Sequence, residues 1–140
     1  MASNATNRSF QAAAIRVAAA ARLLDGVVGS GLRLIGEEIL TDVKASRPGH
    51  GVPVDTGILR ATGRVDGPVQ GPVGPRVTLS FGGAAAPYAL VQHEVLKFKH
   101  TVGEARYLVR GLQRWRPGGS AAVNAIALNA KLAITKARGT

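Results

Sequence analysis

The sequence predicts an α+β domain: a long N-terminal helix, a small antiparallel sheet with a long hairpin, short helices, and a C-terminal helix packed on it. Three observations carry this expectation. Apolar residues recur at steps of three and four through the first third of the chain, two stretches of strict alternation follow, and a second helical run closes the sequence. At 140 residues the chain suits one core and is too short for two. Hydrophobic residues make up 46% of it but aromatics only 4%, so the core has to be assembled from small aliphatic contacts, as when helices lie closely on a sheet. The chain reads as one domain over residues 1–140, with 24–140 as the core and 1–23 as a flexible or interface-forming N-terminal helical segment.

Leu24, Val28, Leu32, Ile35, Ile39 and Val43 fall on one helical face, which predicts a helix over about Val27 to Ala45, with Glu37, Glu38, Asp42 and Lys44 largely off that face. The preceding run, Arg8 to Leu24, either joins this helix or bends from it at Asp25-Gly26. Gly29, Gly31 and Gly36 each cost about 1 kcal/mol relative to Ala in a helix interior. They either mark a face that a neighbour approaches closely or only loosen the helix. Arg47-Pro48-Gly49-His50-Gly51 ends it, since proline removes a donor and glycine accepts unusual backbone angles.

Alternation over Gly57 to Val65, and again over Arg76 to Phe81, predicts the two strands of a hairpin. The segment between them, Asp66 to Pro75, is rich in Pro and Gly and is expected to project as a long tip outside the sheet. A short helix is expected from near Pro87 to Glu94, then a third strand over Leu96 to His100. From Glu104 to Trp115, Leu108, Leu112 and Trp115 share one helical face and Arg106, Arg110 and Arg114 the opposite one, the pattern of an amphipathic helix with an arginine stripe. Pro117-Gly118-Gly119 breaks that helix. Ser120 is a good N-cap for a last helix running to about Lys136, with Val123, Ile126, Ala127, Ala130 and Ile134 inward.

Composition restricts the function. The chain has no cysteine, which removes disulfides and thiolate metal sites and fits a reducing cytoplasm. His50, His93 and His100 are scattered and make no metal motif, and no cofactor is expected. Arg16 and Arg22 interrupt the apolar stretch from Ala12 to Leu24, so neither a signal peptide nor a membrane span is expected. The net charge is +10, and Leu96 to Thr140 carries nine basic residues against one acidic, Glu104. Such an imbalance suits an anionic partner, nucleic acid or an acidic protein surface. Lys97, Lys99, Arg106, Arg110, Arg114 and Arg116 are the candidates for an interface or for facing DNA, the plain alternative being a solvated face. Tyr107 and Trp115 read as core or interface anchors rather than base-stacking platforms. His93 beside Glu94 reads as a packed or hydrogen-bonded residue, because no nucleophile is placed with it.

Asp55-Thr56-Gly57 is the triplet of an aspartic protease half-site. That chemistry needs two carboxylates about 3 Å apart sharing one proton, so a chain with one such triplet has to dimerise through it. Here Ile58 follows the triplet in place of the usual small residue, and long helices bracket only two or three strands, so the chain is not read as an enzyme. The structural alternative is a turn in which Asp55 accepts backbone hydrogen bonds, Thr56 adds a hydroxyl and Gly57 supplies a backbone geometry that other residues resist.

The surroundings of the triplet resemble the tail-completion and neck proteins of long-tailed bacteriophages, the family that includes minor tail protein Z of phage lambda. Pro53, Val54, Asp55, Thr56, Gly57, Leu59 and Arg60 match that family's PVDTG-x-L-R element, and Tyr88, Ala89, Val91 and Glu94 match a second one. The resemblance spans roughly Leu24 to Lys136. It departs at Val95-Leu96, where the family often has Gly-Thr, and at Arg106 to Gly111, where the family has a Pro-Phe-Leu-x-Pro-Ala segment. The resemblance implies a structural virion protein that assembles in the host cytoplasm as a homo-oligomeric ring of six at the head-tail junction. It would meet tail terminator, tail tube and head-completion or connector proteins, with genomic DNA passing through. A basic nucleic-acid-binding protein and a small homodimeric aspartic protease are the alternatives.

Overall fold

In the computed structural model, which describes residues 2–96 and 100–138, the chain forms an α+β fold. Its elements in order are α1 (Ala2–Lys44), α2 (Ile58–Ala61), β1 (Arg64–Gly71), β2 (Gly74–Ser80), α3 (Ala89–Glu94), α4 (Tyr107–Arg114) and α5 (Ala121–Arg138). The two N-terminal helical runs join through Asp25-Gly26 in one continuous helix. No helix among the described residues is long and apolar enough to cross a membrane.

α1 is the spine, and its glycines set how closely its neighbours approach. At 3.6 residues per turn, Gly29 and Gly36 face nearly opposite to Gly31. The hairpin lies on the first side. A Cβ at Gly29 would sit 3.1 Å from Pro68, and one at Gly36 would sit 3.0 Å from Val65. The C-terminal helix lies on the second side, with Ile126 filling the space where a Gly31 side chain would stand. So the glycines are packing faces, as one of the two sequence readings held, and α5 has α1 as its partner. The contacts of Gly31 with Ile126 and of Glu38 with Ala122 make α5 antiparallel to α1. At about 1.5 Å per residue this brings the end of α5 level with residue 19 or so of α1. Residues 4–19 are accordingly exposed throughout, an arm of about 24 Å.

The hairpin differs from expectation in two ways. Residues Ile58–Ala61 form a helical turn, so β1 starts only at Arg64, and the Pro- and Gly-rich stretch from Asp66 to Pro75 is mostly in the sheet. Register runs Arg64↔Ser80 to Gly71↔Gly74 with a break between Asp66 and Val69, leaving Pro72-Val73 as the turn. Proline is tolerated because both strands are edges, and the break spares the ladder where Gly67-Pro68 cannot pair. The expected strand over Leu96 to His100 lies partly outside the described residues; Leu96 and His100 are not in strands.

The core gathers where α1, α2, α3 and α4 meet, around Ile39, Val43, Val52, Leu59, Ala86, Ala89 and Tyr107. Tyr107 is its centre, edge-on to Phe81 at 5.3 Å and to His93 at 4.8 Å, with its hydroxyl donating to Ala89 O at 3.4 Å. Burial pushes its phenol up to about 12. α4 buries Tyr107 and Gly111, the latter against Val43, rather than Leu112, which is exposed. Among the described residues of α5 the fully buried one is Ala122, while Ala127 and Ile134, expected inward, are exposed. The other residues expected inward are half-buried: Leu108 and Trp115 pack against the core, and Val123, Ile126 and Ala130 line α5, with Ile126 on Gly31.

Two glycine substitutions in the same helix test this packing. Gly31→Ala should destabilise by about 1–3 kcal/mol, because the added methyl has to displace Ile126. Gly26→Ala, with nothing within 4 Å, should stabilise by about 0.5–1 kcal/mol. Urea unfolding followed by circular dichroism reads both.

Candidate functional site

The Pro53 to Arg60 segment wraps one end of the core. Pro53 is buried, and Gly103, at φ 93°, passes so close that a side chain there would strike the Pro53 backbone. Val54 N donates to Val102 O at 3.4 Å. Gly57 takes φ 84° and opens α2, which places Leu59 in the core and leaves Arg60 exposed. Ile58 N donates to Thr56 Oγ1 at 3.5 Å. Asp55 is exposed, and its carboxylate accepts no hydrogen bond among the described residues. The expectation that Asp55 ties the turn is therefore corrected: Gly57 and the anchoring of Pro53 hold it.

Asp55 instead rims an open cleft of about 540 Å³ together with Ile58, Tyr88, Gln92, His100 and Thr101. It is the single carboxylate among the lining residues. The second matched element is split by its environment. Tyr88 stands 40% exposed at the cleft, Ala89 is in the core, and Glu94 is on the surface with His93 Nδ1 2.6 Å from its carboxylate. That accords with the reading of His93 as a packed, hydrogen-bonded residue. Among the described residues no three His, Cys, Asp or Glu side chains are grouped to hold a metal ion.

The arginine stripe is not a free surface. Glu104, expected to open α4, precedes it and is buried, accepting from Gly51 N at 3.2 Å, from Arg110 at 3.0 Å and from Arg114. Arg114 also reaches Asp42 at 3.1 Å, and Asp42 lies 3.1 Å from His50. Burial pushes the Glu104 carboxyl up, but hydrogen bonds from Arg114, Arg110 and Gly51 outweigh it and hold the group below its ordinary value. Burial likewise works against the charge on Arg114, and its bonds to Glu104 and Asp42 more than restore it. Thus Arg110 and Arg114 satisfy acids within the chain. Arg106, at φ 53°, and Arg116 remain exposed, the latter bonding back to Trp115 O at 3.0 Å. Lys97 and Lys99 lie outside the described residues.

A second acid joins three elements. Glu38 accepts from Trp115 Nε1 at 2.9 Å, from Ser120 Oγ at 2.8 Å and from Ala122 N at 3.0 Å. These bonds, Trp115 first, hold its carboxyl below its ordinary value against burial. Ser120 meanwhile accepts from Val123 N at 3.2 Å, the expected N-cap. Sequence reasoning set Glu38 and Asp42 aside from the packed face, yet both meet neighbours. The available signal was their place one step from Ile39 and Val43, with no basic residue four positions along the helix to satisfy either.

Comparison with family models, curated proteins and solved structures returns no match for this chain.

The acid cluster generates two predictions. Arg114→Gln should cost about 2 kcal/mol, since it strips donors from the buried Glu104. Arg106→Gln, at an exposed position, should stay within about 0.5 kcal/mol of the parent. Because the folded-state values of Glu38 and Glu104 are lowered, their contribution to stability is complete above the ordinary value of 4.5 and is lost as pH falls through the lowered ones. Acid unfolding should therefore set in below about pH 4.5, and Glu104→Gln should flatten that dependence while lowering stability at neutral pH. Chemical denaturation across pH 2–7 measures both effects.

Proposed function

We propose that the chain is a non-enzymatic structural subunit of the head-tail junction of a long-tailed bacteriophage, assembling as a homo-oligomeric ring of six through which the genome passes. The observation that carries the reading is the arm of α1. An isolated helical stretch of this length is marginal in water, and this one exposes Phe10, Ile15 and Val17 to about 70%. Such a segment gains stability from a neighbour, as a ring subunit does. The resemblance of Pro53 to Arg60 to the neck-protein element supports the same reading, and so does its architecture: its apolar members anchor a turn while Asp55 faces solvent. Proteolysis would require the Asp55 of a second copy within about 3 Å. Tail terminator, tail tube and connector proteins are the neighbours this reading implies, with the virion as the place of work.

One observation favours the nucleic-acid-binding alternative. The sequence from Ala2 to Leu24 carries Arg8, Arg16 and Arg22, that from Ala121 to Arg138 carries Lys131, Lys136 and Arg138, and neither contains an acid. If phosphates are met, these residues meet them rather than Arg110 and Arg114.

Electron microscopy and sedimentation of the purified protein separate the readings. Rings of uniform subunit number in the absence of DNA are expected. A protein that stays monomeric at high concentration yet binds DNA, with affinity falling steeply as salt rises, would replace the ring reading with the alternative.

A further inference from the structure

We infer that the cleft rimmed by Asp55 is a binding site for a guanidinium group, that of an arginine side chain. The acid at its rim is set apart from the others. Of the eight Asp and Glu residues, Glu37, Glu38, Asp42, Asp66, Glu94 and Glu104 each have a partner within the fold. Asp25 shares the lining of another cleft, between α1 and the hairpin, with Arg22. Asp55 accepts no hydrogen bond among the described residues, and no Lys or Arg is among those lining its cleft, although the chain carries eighteen such side chains. An acid left without a counter-charge attracts a cation from outside the chain and repels the phosphates of nucleic acid.

The other lining residues select the kind of cation. One carboxylate falls short of the roughly six to eight oxygens that Ca²⁺ gathers, and no three acidic or histidine side chains are grouped for a metal among the described residues. A guanidinium has N–H donors on every side and no acceptor. The cleft answers it with acceptors: the Asp55 carboxylate, the Gln92 amide oxygen and the imidazole of His100. His100 Nε2 is buried without a hydrogen-bond partner, a cost that a donating ligand removes when the imidazole carries its proton on Nδ1. Tyr88, 40% exposed, offers an aromatic ring to a planar cation. Ile58, 45% exposed, offers apolar surface to the methylene stem behind it. At about 540 Å³ the cleft has room for the side chain and the residues that flank it. Gly57 at φ 84° and the anchored Pro53 fix the wall that bears Asp55, so little ordering remains to be done on binding.

Charge also points to where the arginine comes from. Among the described residues Arg33, Arg64, Arg110 and Arg114 pair with acids of their own chain, which leaves others, such as Arg60 and Arg106, for the Asp55 of a second copy. This step alone rests on the ring reading. An arginine of a different protein is the other source of the same group.

Titrating the full-length, ¹⁵N-labelled chain with N-acetyl-arginine amide, below the concentration at which it assembles, tests the site. Amide resonances of residues 54–58 and 100–102 should shift and saturate. The citrulline analogue, alike in shape but uncharged, should bind about tenfold more weakly or worse, and Asp55→Asn should weaken binding of the arginine probe to the same degree. Asp55 is exposed and bonds to nothing among the described residues, so this variant should keep the parent's circular dichroism spectrum and melting temperature. Shifts confined to other residues, equal binding of the citrulline analogue, or undiminished binding by Asp55→Asn would overturn the inference. Sedimentation then identifies the source. If a second copy supplies the arginine, the probe and Asp55→Asn each raise the concentration needed for assembly. An unchanged assembly concentration would overturn the second copy as the source and assign the site to an arginine of another protein. A persistent monomer that still binds the probe would overturn the ring reading and uphold the site.

Discussion

The carboxylate of Glu38 is the contact on which the arrangement of helices depends. It accepts from a side chain at the end of α4, from the N-cap serine of α5 and from a backbone amide in the first turn of α5. One acid on the spine thus fixes where the short helix stops and where the last one starts. A negative charge at a helix N-terminus is favoured by unpaired amides and by the helix dipole. That favourable placement explains why an acid can stand among packed helices. With α5 anchored at this end, its antiparallel course along Gly31 follows, and so does the level at which it runs out and the arm begins.

Glu104 applies the same logic one layer further. Its two oxygens collect a backbone amide from the loop after α1 and two arginines of α4, and Arg114 passes the connection on to Asp42 of α1. The chain uses its few acids to bind its own elements together. All of those acids lie in the body, whereas the arm and α5 carry Arg8, Arg16, Arg22, Lys131, Lys136 and Arg138 with no acid among them. The extremities are thus the more strongly basic part of the chain, and the physical questions about partners concentrate there.

Much of the fold was legible because periodicity reports burial. The long helix, the hairpin and the capped last helix each carried a local signal, and the glycines of α1 do mark close approach. The failures have separate causes. Leu112 and Ile134 looked inward by size, yet Gly111 and Ala122 are the buried residues, because close helix packing rewards small side chains that periodicity weighs lightly. Arg110 and Arg114 looked like an outward stripe since their partners are distant in sequence: Asp42 lies 72 positions from Arg114. Pro68 and Pro75 suggested a loop, but an edge strand with a register break accommodates them. At the candidate site, the glycine of the triplet was read correctly as a backbone requirement, whereas the role given to Asp55 depended on a local hydrogen bond that is not made among the described residues.

On the proposed reading the chain has a body that holds itself together and an arm that depends on a neighbour. Hydrogen exchange followed by mass spectrometry, at concentrations spanning assembly, tests that division directly. Amides of residues 31–43 should be protected at every concentration, and those of residues 5–18 should exchange freely in dilute monomer and become protected on assembly. Protection of the arm in the dilute monomer, or free exchange of the arm within assembled particles, would contradict the account.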